Sequence, residues 1–247
     1  MSMKNLGRAY ALAGVVASLA LTGCGEDEPK PPEPQPLVCD AQAYTNGVHD
    51  AAEPTQDDVV NGLWAIAPSN TKLVWNETKT AVRMVIWTDY TGYKPGDMSL
   101  TREVWMTAAP QLQEICRTVA ADNVSERMNQ VLGLPPFTAQ SNPRFFVEAW
   151  VKPSDMFRPC PDSEIDDTTC GLTFPPSATA EHKNWINANY ANSYGFWLKT
   201  QYPWTGLGYT YDWCNASTHV GASEFVVRSG SQITVSGVFD KADYCKP

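Results

Sequence analysis

Between residues 81 and 89, Val82, Met84 and Ile86 alternate with Arg83, Val85 and Trp87, the period-two pattern that places successive side chains on opposite faces of a strand. Thr91-Gly92 and Pro95-Gly96 supply the turn residues that end it. Beyond them the period lengthens. Pro110 suits a first helical turn, and Leu112, Ile115, Cys116 and Val119 form one apolar stripe behind it. Val124, Met128, Val131 and Leu132 predict a second helix, stopped by Gly133 with Pro135-Pro136 beyond. The longest helical pattern runs over 179–199, with His182, Trp185, Ile186, Asn189, Tyr190, Ser193, Phe196 and Trp197 on one face. Residues 103–107 predict a strand, and 144–151 a strand largely buried on both faces. Two short apolar runs, 63–67 and 73–76, flank Pro-Ser-Asn and predict a hairpin. Residues 208–213, 224–228 and 232–238 predict further strands, the last two joined through Ser229-Gly230-Ser231. Strands and helices mix without regular βαβ alternation. The expected class is therefore α+β, a mostly antiparallel sheet with two or three packed helices.

The N-terminus follows a different pattern. Lys4 and Arg8 precede an apolar run of about 12 residues, too short for the roughly 20 needed to span a bilayer, which reads as a cleaved targeting segment. The run ends at Leu21-Thr22-Gly23-Cys24, which resembles the lipobox of bacterial lipoproteins. The resemblance implies a signal peptide over 1–23, a lipid on the Cys24 thiol and acylation (palmitate-type chains) of the new amino terminus. Several acyl chains anchor a protein stably where one does not. Gly25 stands where an aspartate would favour retention in the inner membrane, so the resemblance points to a lipid-anchored protein of the outer membrane of a Gram-negative-type bacterium. Residues 25–36 carry Glu26, Asp27, Glu28 and Glu33 among five prolines. Such a segment cannot bury a core, so 24–38 is expected to be an extended tether and 39–247 one globular domain.

Removing residues 1–23 takes Lys4 and Arg8 with it, leaving 16 basic against 27 acidic residues, a net charge of −11. That balance argues against nucleic acid as a partner. Glycine-rich phosphate loops and dinucleotide fingerprints are missing as well, which argues against nucleotide chemistry. Six cysteines remain besides Cys24: Cys39, Cys116, Cys160, Cys170, Cys214 and Cys245. An even number in an exported chain predicts three disulfides. Cys160 and Cys170 pair by proximity, whereas Cys39 and Cys245 bracket the domain and could tie its ends together.

Four constellations bear on chemistry. Asp162, Glu164, Asp166 and Asp167 lie between Cys160 and Cys170, where clustered carboxylates on a pinned loop could hold Ca²⁺. The spacing matches the start of an EF-hand loop, then departs from it at Asp167 and Thr173; a solvated acidic loop is the alternative. Residues 202–213 hold five aromatics, Tyr202, Trp204, Tyr209, Tyr211 and Trp213. With Trp150 they offer rigid platforms for a sugar ring or a protein partner, or a core stacked on Trp185 and Trp197. Glu148, Asp212 and Glu224 sit on or beside strands and could form the carboxylate pair of a glycoside hydrolase. Against this, Glu148 is placed for a structural pair with Arg83 or Arg144. The histidines His49, His182 and His219 share no metal-ligand spacing, and a GxSxG elbow is absent. The expected function is ligand or partner binding without catalysis, through the aromatic segment and the acidic loop. A carbohydrate-acting envelope hydrolase is the alternative.

Overall fold

The computed structural model describes residues 37–246 apart from 196, 199 and 200. The predicted signal peptide, Cys24 and nearly all of the tether therefore lie outside the described residues. In chain order the elements are α1 (Ala41–Ala51), β1 (Val82–Thr88), β2 (Gly96–Ser99), β3 (Val104–Ala108), α2 (Ala109–Arg117), α3 (Val124–Val131), β4 (Phe145–Val151) and β5 (Met156–Phe157). They continue with α4 (Ala180–Asn189), β6 (Tyr209–Tyr211), β7 (Val220–Ser223), β8 (Phe225–Val227), β9 (Gln232–Phe239) and α5 (Lys241–Tyr244). Seven strands form one antiparallel sheet in the order β2-β9-β4-β1-β3-β8-β5, and β6 pairs with β7 beside it. This is the expected disulfide-stabilised α+β class.

The alternation in β1 divides the core. Val82, Met84 and Ile86 point to one face with Met106, Val147, Phe225 and Val235. That face is covered by irregular chain carrying Trp64, Ile66, Leu73 and Leu100. Each fully buried side chain of this size contributes about 1.5–3 kcal/mol, enough to hold such segments in place without regular structure. Val85 and Trp87 point to the other face, where Leu112, Cys116, Val124, Met128 and Tyr244 from α2, α3 and α5 pack. Gly133 has φ +65 and ends α3 as its position predicts, since glycine takes that conformation at no steric cost.

Several sequence expectations are corrected. Residues 63–67 and 73–76 form no hairpin; the second run contributes only an isolated bridge between Trp75 and Val82. Strands β8 and β9 are no hairpin either, because β8 pairs with β3 and β5 while β9 pairs with β4 and β2. Ser229-Gly230-Ser231 instead crosses from one edge of the sheet toward the other, its backbone bonded at Leu100. Cys39 does not meet Cys245: the pairs are Cys39–Cys214, Cys116–Cys245 and Cys160–Cys170. The chain ends are thus tied separately, α1 to the segment after β6 and α5 to α2. Helix α1 lacked a clear apolar stripe in sequence, yet Asp40 caps it by accepting from the Gln42 and Ala43 amides at 2.9 Å. The long helical pattern from 179 breaks after Asn189 into a single π turn, Tyr190–Tyr194. Residues 208–213 yield only the three-residue β6, buried on both faces.

Candidate functional site

Glu224 lies at a handover between strands. Just before it β7 pairs with β6, and just after it β8 pairs with β3, while its own amide donates to the Gly208 carbonyl at 3.0 Å. By the alternation of β8 its side chain shares a sheet face with Val226, opposite Phe225 and Val227, which join the first core. On that face it borders a cavity of about 360 Å³. Sheet residues Val85, Trp87, Trp105 and Thr107 supply one part of the lining, and Leu132, Gly133 and Leu134 after α3 supply another. Ser193 and Tyr194 of the π turn, with Tyr202, Pro203 and Trp204, complete it. A π turn widens the helical backbone and is frequent at functional sites; here it brings Tyr194 against Trp204, ring centroids 4.5 Å apart, and against Trp105 at 6.0 Å. Trp105 and Trp204 meet edge to face at 6.2 Å.

The Glu224 carboxyl makes no hydrogen bond or ion pair with any described residue, and its Oε2 is buried. Burial alone pushes it up to about 8, so at neutral pH it is mostly the uncharged acid. Trp204, 8% exposed, has a buried Nε1 that likewise finds no acceptor among the described residues. Buried polar atoms without partners are uncommon and mark either a ligand site or a stored cost. Trp204 also borders a second, smaller cavity of about 210 Å³, lined by Pro161, Leu172, Ile186 and Tyr190 among others.

The other candidates are placed differently. Tyr209 and Trp213 donate to the Asp58 and Leu134 carbonyls at 3.0 and 2.9 Å, and Tyr211 donates to the Asp50 carboxylate at 2.6 Å. All three are buried, and they pack on Leu63, Ala51 and Tyr44 rather than on Trp185 or Trp197. Of the six candidate aromatics, Tyr202 and Trp204 line the cavity; Trp150 is half-buried in β4 opposite Arg83 and Thr234. Glu148 is paired with Arg83 at 3.4 Å, and burial raises its carboxyl against that attraction. Asp212 accepts both Arg127 Nη atoms. Neither lines the cavity, which among the described residues contains one carboxylate.

The acidic loop encloses an arginine that the sequence did not single out. Arg158 is completely buried, its Nε donating to the Glu164 carbonyl at 3.0 Å and its Nη2 to the Asp167 carbonyl at 2.9 Å. Its Cζ lies 5.2 Å from the Phe225 ring. Burial pulls the guanidinium down, while Asp167, Asp162 and Asp166 oppose that shift. Gly208, at φ +79, leaves room for the arginine stem: a Cβ there would stand 2.6 Å from Arg158 Cδ. The loop therefore supplies carbonyl oxygens to an internal cation. Among the described residues no group of three or more His, Cys, Asp or Glu side chains is arranged to hold a metal ion.

His219 also acquires neighbours that spacing did not reveal. Its Nε2 lies 3.1 Å from Asp58 Oδ1 and 3.2 Å from the Tyr209 hydroxyl, and its ring stacks on Tyr211 at 5.0 Å. These contacts tie the segments after α1 to β6, and His219 lines neither of the two cavities described. His182, with Nε2 2.7 Å from the Cys160 carbonyl and its ring stacked on Trp185, is a buried, satisfied histidine. The chain matches no family model, no curated protein and no solved structure.

Proposed function

We propose that the domain is the ligand-binding part of a lipid-anchored envelope protein and that its ligand occupies the cavity beside Glu224. The observation that carries this reading is an unpartnered carboxyl facing an aromatic-lined space of about 360 Å³. Small-molecule sites are concave, mostly apolar and carry a few orienting polar groups, and their volumes begin near this size. The tether expected from the sequence would hold such a domain clear of the outer membrane. In the acidic loop it is the Glu164 and Asp167 backbone carbonyls that are committed to Arg158.

The hydrolase alternative needs a second carboxylate roughly 5–10 Å from the first. Glu148 and Asp212, the sequence's candidates, are held by arginines and stand outside the cavity lining. Binding without catalysis is the reading this arrangement favours.

Saturation-transfer NMR with benzyl alcohol as a neutral probe tests the cavity. Transfer is expected with the wild-type domain and is expected to vanish in Ser193→Trp, which fills the space from the half-buried π turn. Wild-type protein that gives no transfer, or equal transfer from both proteins, contradicts the assignment.

A further inference from the structure

We infer that the ligand of this cavity is a small organic cation, an alkylamine or quaternary ammonium, held between the Glu224 carboxylate and the faces of Trp105, Tyr194 and Trp204. The inference rests on the cavity being the binding site, and two observations narrow the ligand class.

The first is charge. No lysine, arginine or histidine lines the cavity among the described residues, so an anionic ligand would meet Glu224 and nothing to offset its own charge. The whole chain carries −9, which attracts cations. The second is the walls. Tryptophan and tyrosine faces attract a cation within about 6 Å of the ring, the more strongly when it is desolvated. Inside the cavity Thr210 Oγ1 donates to the Val131 carbonyl at 2.6 Å and accepts from the Ala222 amide at 2.8 Å, and Trp87 Nε1 is bonded to Asn129 Oδ1 at 2.9 Å, so neither is available to a ligand. An alkylammonium asks for one counter-charge and an apolar, aromatic surround.

Binding then displaces a proton. The free carboxyl is mostly protonated at neutral pH; when a quaternary ammonium binds, the Glu224 O–H bond breaks, the proton leaves to the buffer, and the carboxylate remains beside the cation. Among the described residues, phenols join Glu224 as titratable groups around the site: Tyr194 and Tyr202 in the lining, with Tyr44 behind them. Burial holds Tyr194 and Tyr44 above the ordinary tyrosine range, so both stay neutral through the relevant pH. Strands β1 and β3 and the end of α3 present Val85, Trp87, Trp105, Thr107 and Leu132, none of which titrates.

Calorimetry with choline and benzyltrimethylammonium between pH 6 and 9 tests this, because neither probe changes its own charge. With an ionisation midpoint near 8, affinity is expected to rise roughly 50- to 100-fold from pH 6 to 9 and then level off. Close to one proton should be released per cation at pH 7, read from buffers of different ionisation heat. Glu224→Gln should bind more weakly at pH 9 and lose both the pH dependence and the proton release. The neutral isostere of choline, 3,3-dimethylbutan-1-ol, should bind far more weakly at pH 9. The inference is overturned by an affinity that does not change with pH, by an isostere that matches choline, or by a Glu224→Gln protein that keeps the wild-type profile. It is also overturned if neither cation binds at 10 mM; should benzyl alcohol still bind then, the cavity stands as a ligand site for a different class.

Discussion

Arg158 is completely buried and Glu224 half-buried, and the protein treats these two ionisable groups in opposite ways. Around Arg158 the chain closes on most of the group: Nε and Nη2 reach backbone carbonyls, Asp167 supplies a counter-charge at 3.6 Å, and Phe225 packs against the group, while Nη1 finds no acceptor among the described residues. Around Glu224 nothing closes, and the carboxyl is left against open volume with no cation and no donor. A buried charge costs several kcal/mol unless its partners offset it. Arg158 has those partners and so reads as architecture, the internal peg around which the acidic loop folds. Glu224 lacks them and so reads as a place where the missing partner arrives from outside.

The largest expected effect breaks the Arg158 side of this contrast. Arg158→Met should cost about 3–5 kcal/mol, because it strands the loop carbonyls and the Asp167 carboxylate; urea unfolding measures it, and a cost below about 1 kcal/mol would show that the arginine is no peg. Opening the Cys160–Cys170 bridge with a Cys160→Ala, Cys170→Ala double variant should cost about 2–3 kcal/mol, since the loop it closes spans only ten residues.

On the other side, Glu224→Gln should change the shape of the stability curve more than its height at neutral pH. The folded-state carboxyl sits near 8, above its unfolded value of 4.5. The folded form therefore holds its proton more tightly, and this contribution to stability is complete below about pH 4.5 and is lost as pH rises through 8. Melting temperature of the wild type should fall between pH 5 and 9 relative to Glu224→Gln; parallel curves would count against a buried acid. The smallest effect belongs to the exposed rim of the acidic loop. Repulsion from Asp162 raises the Glu164 carboxyl, which is fully exposed, so Glu164→Gln should leave the urea unfolding midpoint unchanged. Millimolar Ca²⁺ should leave the melting temperature unchanged, and a clear upward shift would return the loop to the list of metal sites.

The sequence made part of this contrast legible. Alternation at 81–89 and the stripes behind Pro110 and Val124 placed β1, α2 and α3; β1 and the residues that follow α3 build one side of the cavity. Glu224 was visible as an acid at a strand end, and Tyr202 and Trp204 as unusual aromatics. Its lack of a partner was not visible, because that depends on Leu132–Leu134 and Tyr194 packing around it from distant parts of the chain. Arg158 escaped notice for the converse reason. An arginine is ordinarily exposed, and the clue lay only in its setting, between Phe157 and Pro159-Cys160 and ahead of four acids. Pairings that cross the sheet were hidden as well: β8 and β9 looked adjacent through a short turn, yet three strands separate them.

The most direct test of the account is the titration of the Glu224 carboxyl itself, followed by ¹³C NMR with Glu224→Gln to assign its signal. In the free protein the midpoint should fall near 8, and saturating benzyltrimethylammonium should lower it by about two pH units or more, as the expected pH dependence of affinity requires. A midpoint near 4.5 in the free protein would mean that Glu224 is solvated or paired, and would contradict the claim that this carboxyl waits for a ligand.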